Sequence, residues 1–167
     1  MAEALLITRE DLVKYTFLDG NVDSDKLIQF CKIAQDIHIQ QYLGTNLLEK
    51  IKADIVAGTL TGVYLSLLEN HIKLMLVHWA LVEYLPFAAY TLANKGMYKH
   101  SSENSEVVSK SEVDYLVQKQ RSIAENYSQR FVDYIVLNQA SFPEYYSNTS
   151  GDIYPKNNIE ISGWYGI

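Results

Sequence analysis

The chain is poor in the residues that staple, break or positively charge a fold. It carries one cysteine, three prolines and eight glycines. A lone thiol excludes an internal disulfide framework and a zinc cluster built from several cysteines. Cys31 lies in an apolar, helix-like stretch, where an inert buried thiol is the expected state. Few prolines and glycines leave long helices uninterrupted. Basic residues are scarce too: 14 Lys and Arg against 20 Asp and Glu give a net charge of −6 and a pI near 5.1. No basic patch of the kind that grips a phosphate backbone is visible. Long hydrophobic runs are missing. The most apolar run, residues 74–82 between Lys73 and Glu83, is far shorter than the roughly 18 residues a membrane span needs. Residues 1–9 lack the basic start and apolar centre of a secretory signal. The expectation is an intracellular protein made without export and without membrane association.

Reaction chemistry is equally hard to find. The four histidines are His38, His71, His78 and His100. His71 and His78 share one helical face about two turns apart, too far for joint ligation of a metal with Lys73, Leu74 and Met75 between them. There is no His-Glu-x-x-His, no Gly-x-Ser-x-Gly and no glycine-rich phosphate loop. Cys31 and His38 share a helix face, not a cleft. Carboxylates such as Glu10, Asp11, Asp23 and Asp25 sit at helix starts, where they complement the helix dipole. Neither a catalytic residue nor a cofactor or metal site is expected.

What is present is apolar and aromatic. Hydrophobic residues make up 48% of the 167, and charged residues 20%, the balance of a folded domain. Thirteen tyrosines dominate the aromatics, and tyrosine suits surfaces dry on one side and wet on the other. Thr8, with Asp11 behind it, caps a short helix to about Tyr15. Leu27, Cys31, Ala34 and His38 recur at helical spacing from a start at Asp23 or Ser24. Gly44 is a natural stop, Thr45 starts a third helix, and Gly58 ends it. The longest helix spans residues 61–85 and is apolar on most sides, which places it at the centre of a bundle. Pro86 kinks or restarts the chain, and residues 87–93 can continue as helix. Ser111, with Asp114 three residues on, opens a last helix to about Leu137 whose stripe includes Val113, Val117, Ala124, Phe131 and Ile135, interrupted by Gln120.

Two segments depart from this pattern. Residues 97–110 read as a flexible loop or small β-hairpin, with Met97-Tyr98 and Val107-Val108 as strand-prone pieces. Residues 140–167 are rich in turn formers yet carry Phe142, Tyr145, Tyr146, Tyr154, Trp164 and Tyr165. Structureless tails seldom hold so many aromatics, so this segment docks, on its own domain or on a partner. The fold class is therefore all-α: a bundle of four to five helices over residues 1–139, with a loop or hairpin insertion at about 97–110 and an extended C-terminal tail over 140–167.

Taken in order, several pieces resemble a known family. The sequence from Ile7 to Ile51, its Gln41-Tyr42-Leu43-Gly44-Thr45 helix end, the Trp79 helix reaching Leu85-Pro86-Phe87, the Asn94-Lys95-Gly96 step and the helix through Tyr127 and Tyr134 are similar to small head–tail connector (head-completion adaptor, neck ring) proteins of tailed bacteriophages, those of Bacteroides-like hosts in particular. The likeness covers about residues 5–155. It implies a structural virion protein, made in the host cytoplasm, that forms a homo-oligomeric ring, typically of twelve, in the neck. Such a ring joins the portal protein to a downstream neck or tail-completion protein. It extends the channel through which genomic DNA passes without sequence-specific binding. The family has no enzymatic activity or cofactor. A ring interface joins two different faces, and the resemblance assigns contacts with a neighbour or the portal to Phe142, Tyr145, Tyr146, Tyr154, Trp164 and Tyr165. Met97, Tyr98, Val107 and Val108 are second candidates. An acidic surface would also let DNA slide without sticking. The alternative is a small helical ligand-binding or regulatory protein, monomer or dimer, with a pocket near Met75, His78 and Trp79.

Overall fold

A computed structural model describes residues 3–19, 23–88, 90–93, 96–99, 108–147 and 151–156. Helix α1 (Arg9–Tyr15) begins on the expected cap: the Asp11 N–H donates to Thr8 Oγ1, and the Thr8 N–H donates to the Asp11 carboxylate at 2.8 Å. Helix α2 (Ser24–Ala34) starts on Asp23, runs without interruption into a π-helical turn at Gln35–Ile39, and continues as α3 (Gln40–Ala57). Gly58, at φ 67°, ends α3 in the left-handed conformation that glycine adopts at least cost.

The long apolar helix divides in the same way. It comprises α4 (Gly62–Leu67), a second π-helical turn at Leu68–Ile72, and α5 (Lys73–Tyr84), followed by a 3-10 turn at Leu85–Phe87 that carries Pro86. Every residue of α5 from Met75 to Val82 is buried, as its continuous hydrophobicity requires. Helices α2 and α6 (Lys110–Leu137) both pack against α5. Buried Gln35 ties down the N-terminal segment: its Oε1 accepts from the Leu6 N–H and its Nε2 donates to the Ala4 carbonyl, both at 2.9 Å. Among the described residues no single helix is long and apolar enough to cross a membrane.

Among the described residues the bundle is all-α with one small hairpin, which lies earlier than expected. Strand β1 (Tyr90–Ala93) pairs antiparallel with β2 (Gly96–Lys99), in the register Tyr90 to Lys99 and Ala93 to Gly96. Residues 90–93 are therefore strand, not a continuation of helix. Pro86 and the 3-10 turn end the helical ladder, and the β-prone Tyr90-Thr91-Leu92 finds a partner in Met97-Tyr98. Met97 and Tyr98 belong to the hairpin, but Val108 stands outside it and Val107 lies outside the described residues. Helix α6 starts two residues earlier than Ser111 suggests: Ser109 and Glu112 form a reciprocal capping box, with the Ser109 N–H donating to Glu112 at 2.7 Å.

Past Leu137 the chain stays on the bundle. A 3-10 turn at Gln139–Ser141 leads into a single helical turn, α7 (Pro143–Tyr146), packed against α3. Phe142 is 0% and Tyr145 1% exposed, both within the main core cluster.

Candidate functional site

Polar groups buried along α5 form a seam with its two flanking helices. Each of three histidines lies flat on an aromatic ring from another element. His38, in the first π-helical turn, stacks on Trp79 with centroids 3.9 Å apart and planes 8° from parallel. His71, in the second π-helical turn, stacks on Tyr134 at 4.1 Å. His78 of α5 lies parallel to Tyr127 at 5.4 Å. π-helical turns are rare and cluster at functional positions; here each one places an imidazole against the ring of another helix.

Hydrogen bonds complete the seam. His38 Nε2 pairs with Glu83 Oε1 at 2.7 Å, and His78 Nδ1 with buried Gln120 Oε1 at 2.9 Å. The Trp79 indole N–H donates to Ser128 Oγ at 3.0 Å, and Ser128 donates onward to the Ala124 carbonyl at 2.8 Å. Burial lowers the pKa of His71, with Arg130 adding to the effect. Burial also lowers that of His78, against a smaller opposing contribution from the Gln120 bond. Both imidazoles are thereby held neutral, as stacking in a dry core favours. Cys31 is buried on the inner face of α2, and desolvation pushes its thiol up to about 11. The Trp79 indole, the ring against the His38–Glu83 pair, offers no nucleophile. Among the described residues no three His, Cys, Asp or Glu side chains come together to hold a metal ion.

A second construction joins the helix around Gly44 to residues 151–156. Gly44 interrupts the helix at φ 75°, ψ 160°, a conformation essentially closed to other residues. Such a break orphans backbone groups on both sides, and a strap of residues 151–156 satisfies them. The Thr45 N–H donates to the Ile153 carbonyl at 3.0 Å, and the Lys156 N–H donates to the Gln41 carbonyl at 2.6 Å. Thr45 Oγ1 accepts from the Ile153 N–H at 3.1 Å and donates to Asp152 at 3.0 Å. Pro155 is buried on the Gly44 backbone. Just before the strap, Asn46 donates to the Ser147 carbonyl at 2.8 Å, and the Tyr64 hydroxyl donates to Glu144 at 2.6 Å. Burial, then that bond, raises the pKa of the Tyr64 phenol.

The residues expected to meet another protein are dispersed. Phe142 and Tyr145 are not available to one. Phe142 fills the core beside Tyr64 and Tyr134, and Tyr145 lies edge-on to Phe131, because the short loop after α6 turns the chain back onto α3. Tyr146 is half-buried, its hydroxyl directed at the Ile135 carbonyl, while Tyr154 and Val108 are exposed. Trp164, Tyr165 and Val107 lie outside the described residues. From the sequence Gln120 reads only as an interruption of the α6 stripe, and Ser128 does not stand out. Their signal was a polar residue recurring on the apolar stripe of α6, which marks a buried hydrogen-bonding partner as readily as an interruption.

Fold and seam together define an all-α bundle in which buried polar groups and the C-terminal strap serve cohesion. Residues 39–155 match a family of unknown function, DUF6712, and the chain belongs to that family. The matched stretch contains both halves of the clasp, Gly44 and Pro155. No curated protein and no solved structure matches the chain.

Proposed function

We propose that this protein is a structural component of a phage neck, a head–tail connector without enzymatic activity that forms a homo-oligomeric ring between the portal and the next neck or tail component. The reading rests on the sequence resemblance. The structural observation that carries it is apolar surface turned outward on both helices that flank α5. On α6, Tyr115 is 69% and Leu137 84% exposed, and Ile28 is exposed on α2. A closed ring needs two different adhesive faces on each copy. The outer surfaces of α2 and α6, two different helices packed on α5, supply such a pair, and large apolar or aromatic side chains are what the dry centre of an interface uses. The space for a ligand pocket around Met75, His78 and Trp79 is instead taken up by packing: Met75 is buried, His38 covers Trp79, and Tyr127 with Gln120 covers His78.

The test is native mass spectrometry of the protein mixed with portal rings of the same phage, together with imaging of the neck in assembled particles. The expected result is a defined multiple of the 19.1 kDa chain bound to each portal ring, weakened by Leu137→Glu or Tyr115→Glu. Virions whose necks lack this chain would overturn the proposal.

A further inference from the structure

Helix α6 ends on Leu137, which at 84% is the most exposed large hydrophobic side chain among the described residues. A single exposed leucine is ordinary. Its electrostatic setting is less so. The last turn of α6 carries no basic residue, so no side chain of that turn offsets the negative end of the helix dipole. Asp133 is exposed four residues earlier and lies on the same helix face as Leu137. The end of α6 is thus an apolar knob beside negative charge.

A hole of matching character opens elsewhere on the molecule. Between the N-terminal segment and α2 lies an open cleft of about 180 Å³. Ile7, Leu12, Leu27, Ile28 and Cys31 line it, and exposed Arg9 is the one charged side chain in its walls. Ile28 is 51% exposed and carries the apolar lining out onto the surface of α2. An apolar cavity of roughly 150 Å³ takes a hydrocarbon the size of benzene, and the side chain of a leucine is smaller. Tyr115, the other well-exposed group on α6, would bring a hydroxyl to walls that are almost wholly apolar.

We propose that Leu137 of one copy seats in the cleft between the N-terminal segment and α2 of the next copy, with Asp133 and the end of α6 facing Arg9. The inference rests on the ring reading and names the contact that builds the ring. A knob and a hole at different places on one chain make a head-to-tail interface, which closes into a ring when the rotation per copy allows it. The occupant is a second copy because the chain carries both parts, and because the charge in the cleft wall is opposite to the charge beside the leucine. Within its own chain Leu137 stands in solvent.

Cysteine pairs decide it, in a Cys31→Ala background that removes the native thiol. Ile28→Cys marks the edge of the cleft, Leu137→Cys the knob, and Val56→Cys an exposed position on α3 outside the contact. All three replace exposed side chains, and circular dichroism checks that the helices are intact. Chains are mixed on portal rings of the same phage and treated with a short bismaleimide. I28C and L137C are expected to join in severalfold higher yield than I28C and V56C, and the double variant I28C/L137C to run as a ladder of oligomers under denaturing conditions. A portal-bound oligomer with no excess of the I28C to L137C product would overturn the pairing and leave the ring reading standing. Cross-linking of the double variant within single chains, without a ladder, would overturn it too. Absence of any portal-bound oligomer would overturn the ring reading and the pairing together.

Discussion

Pro155 rests on the backbone of Gly44 so closely that a Cβ built there would meet the proline Cδ at 2.7 Å. Gly44→Ala therefore suffers twice, from a backbone conformation reserved for glycine and from collision with the strap. We expect it to lower unfolding free energy by about 3 kcal/mol, summing typical costs of strained backbone and overpacking. Urea unfolding of Gly44→Ala in the wild-type and Pro155→Ala backgrounds separates the two. The collision is relieved in the double variant and the backbone strain remains, so the coupling between the sites should be favourable. Strictly additive effects would mean that the strap does not press on Gly44.

The neutral histidines of the seam make stability depend on pH. In the unfolded chain His71 and His78 titrate near 6.5, and in the folded chain burial holds both lower. As pH falls below 6.5 the unfolded state takes up protons first. Their contribution is thus complete above that value and is lost as pH descends through the folded-state values. Urea midpoints between pH 7.5 and pH 5 should fall accordingly. His71→Phe, which keeps a ring against Tyr134, should flatten the dependence; an unchanged slope would show that His71 takes no part.

Ser128 joins two elements through a single hydroxyl, accepting from Trp79 and donating to Ala124. Ser128→Ala strands the buried indole N–H, at a cost of about 1–3 kcal/mol. Chemical denaturation followed by tryptophan fluorescence measures the loss. A variant as stable as wild type would mean that the indole finds another acceptor.

Cys31 should react as a protected thiol. Buried, with its pKa pushed up to about 11, it exposes little thiolate at pH 8. Modification by a disulfide reagent should be slow in native protein and fast in urea. Fast labelling without denaturant would place α2 in rapid opening.

Much of the bundle was legible because helix punctuation is local. Thr8, Asp23, Gly44 and Gly58 act through their own backbone geometry and fall where the sequence indicated. The continuous apolar run of α5 likewise announced a central helix. The two π-helical turns were not legible: an extra residue in one turn leaves no compositional mark, and its partners, Trp79 for His38 and Tyr134 for His71, are distant in sequence. Strand β1 was missed because Tyr90–Ala93 suits helix or strand until β2 provides a ladder. The tail's aromatics signalled docking without naming the surface. Phe142 and Tyr145 are as apolar against their own core as they would be against a neighbour, and only the turn after Leu137 decides between them. Gln120 looked like a fault in the α6 stripe because the imidazole it serves lies on another helix.

The clasp has a consequence for how the molecule comes into being. Thr45 and its partner Asp152 are 107 residues apart, so the kink after Leu43 has no cover while the ribosome is still making the middle of the polypeptide. The helical segments before and after Gly44 can form early, but the kink between them stays unsealed until the strap has left the exit tunnel. Emergence of the strap, not growth of the first helices, is then the event that sets the angle at Gly44.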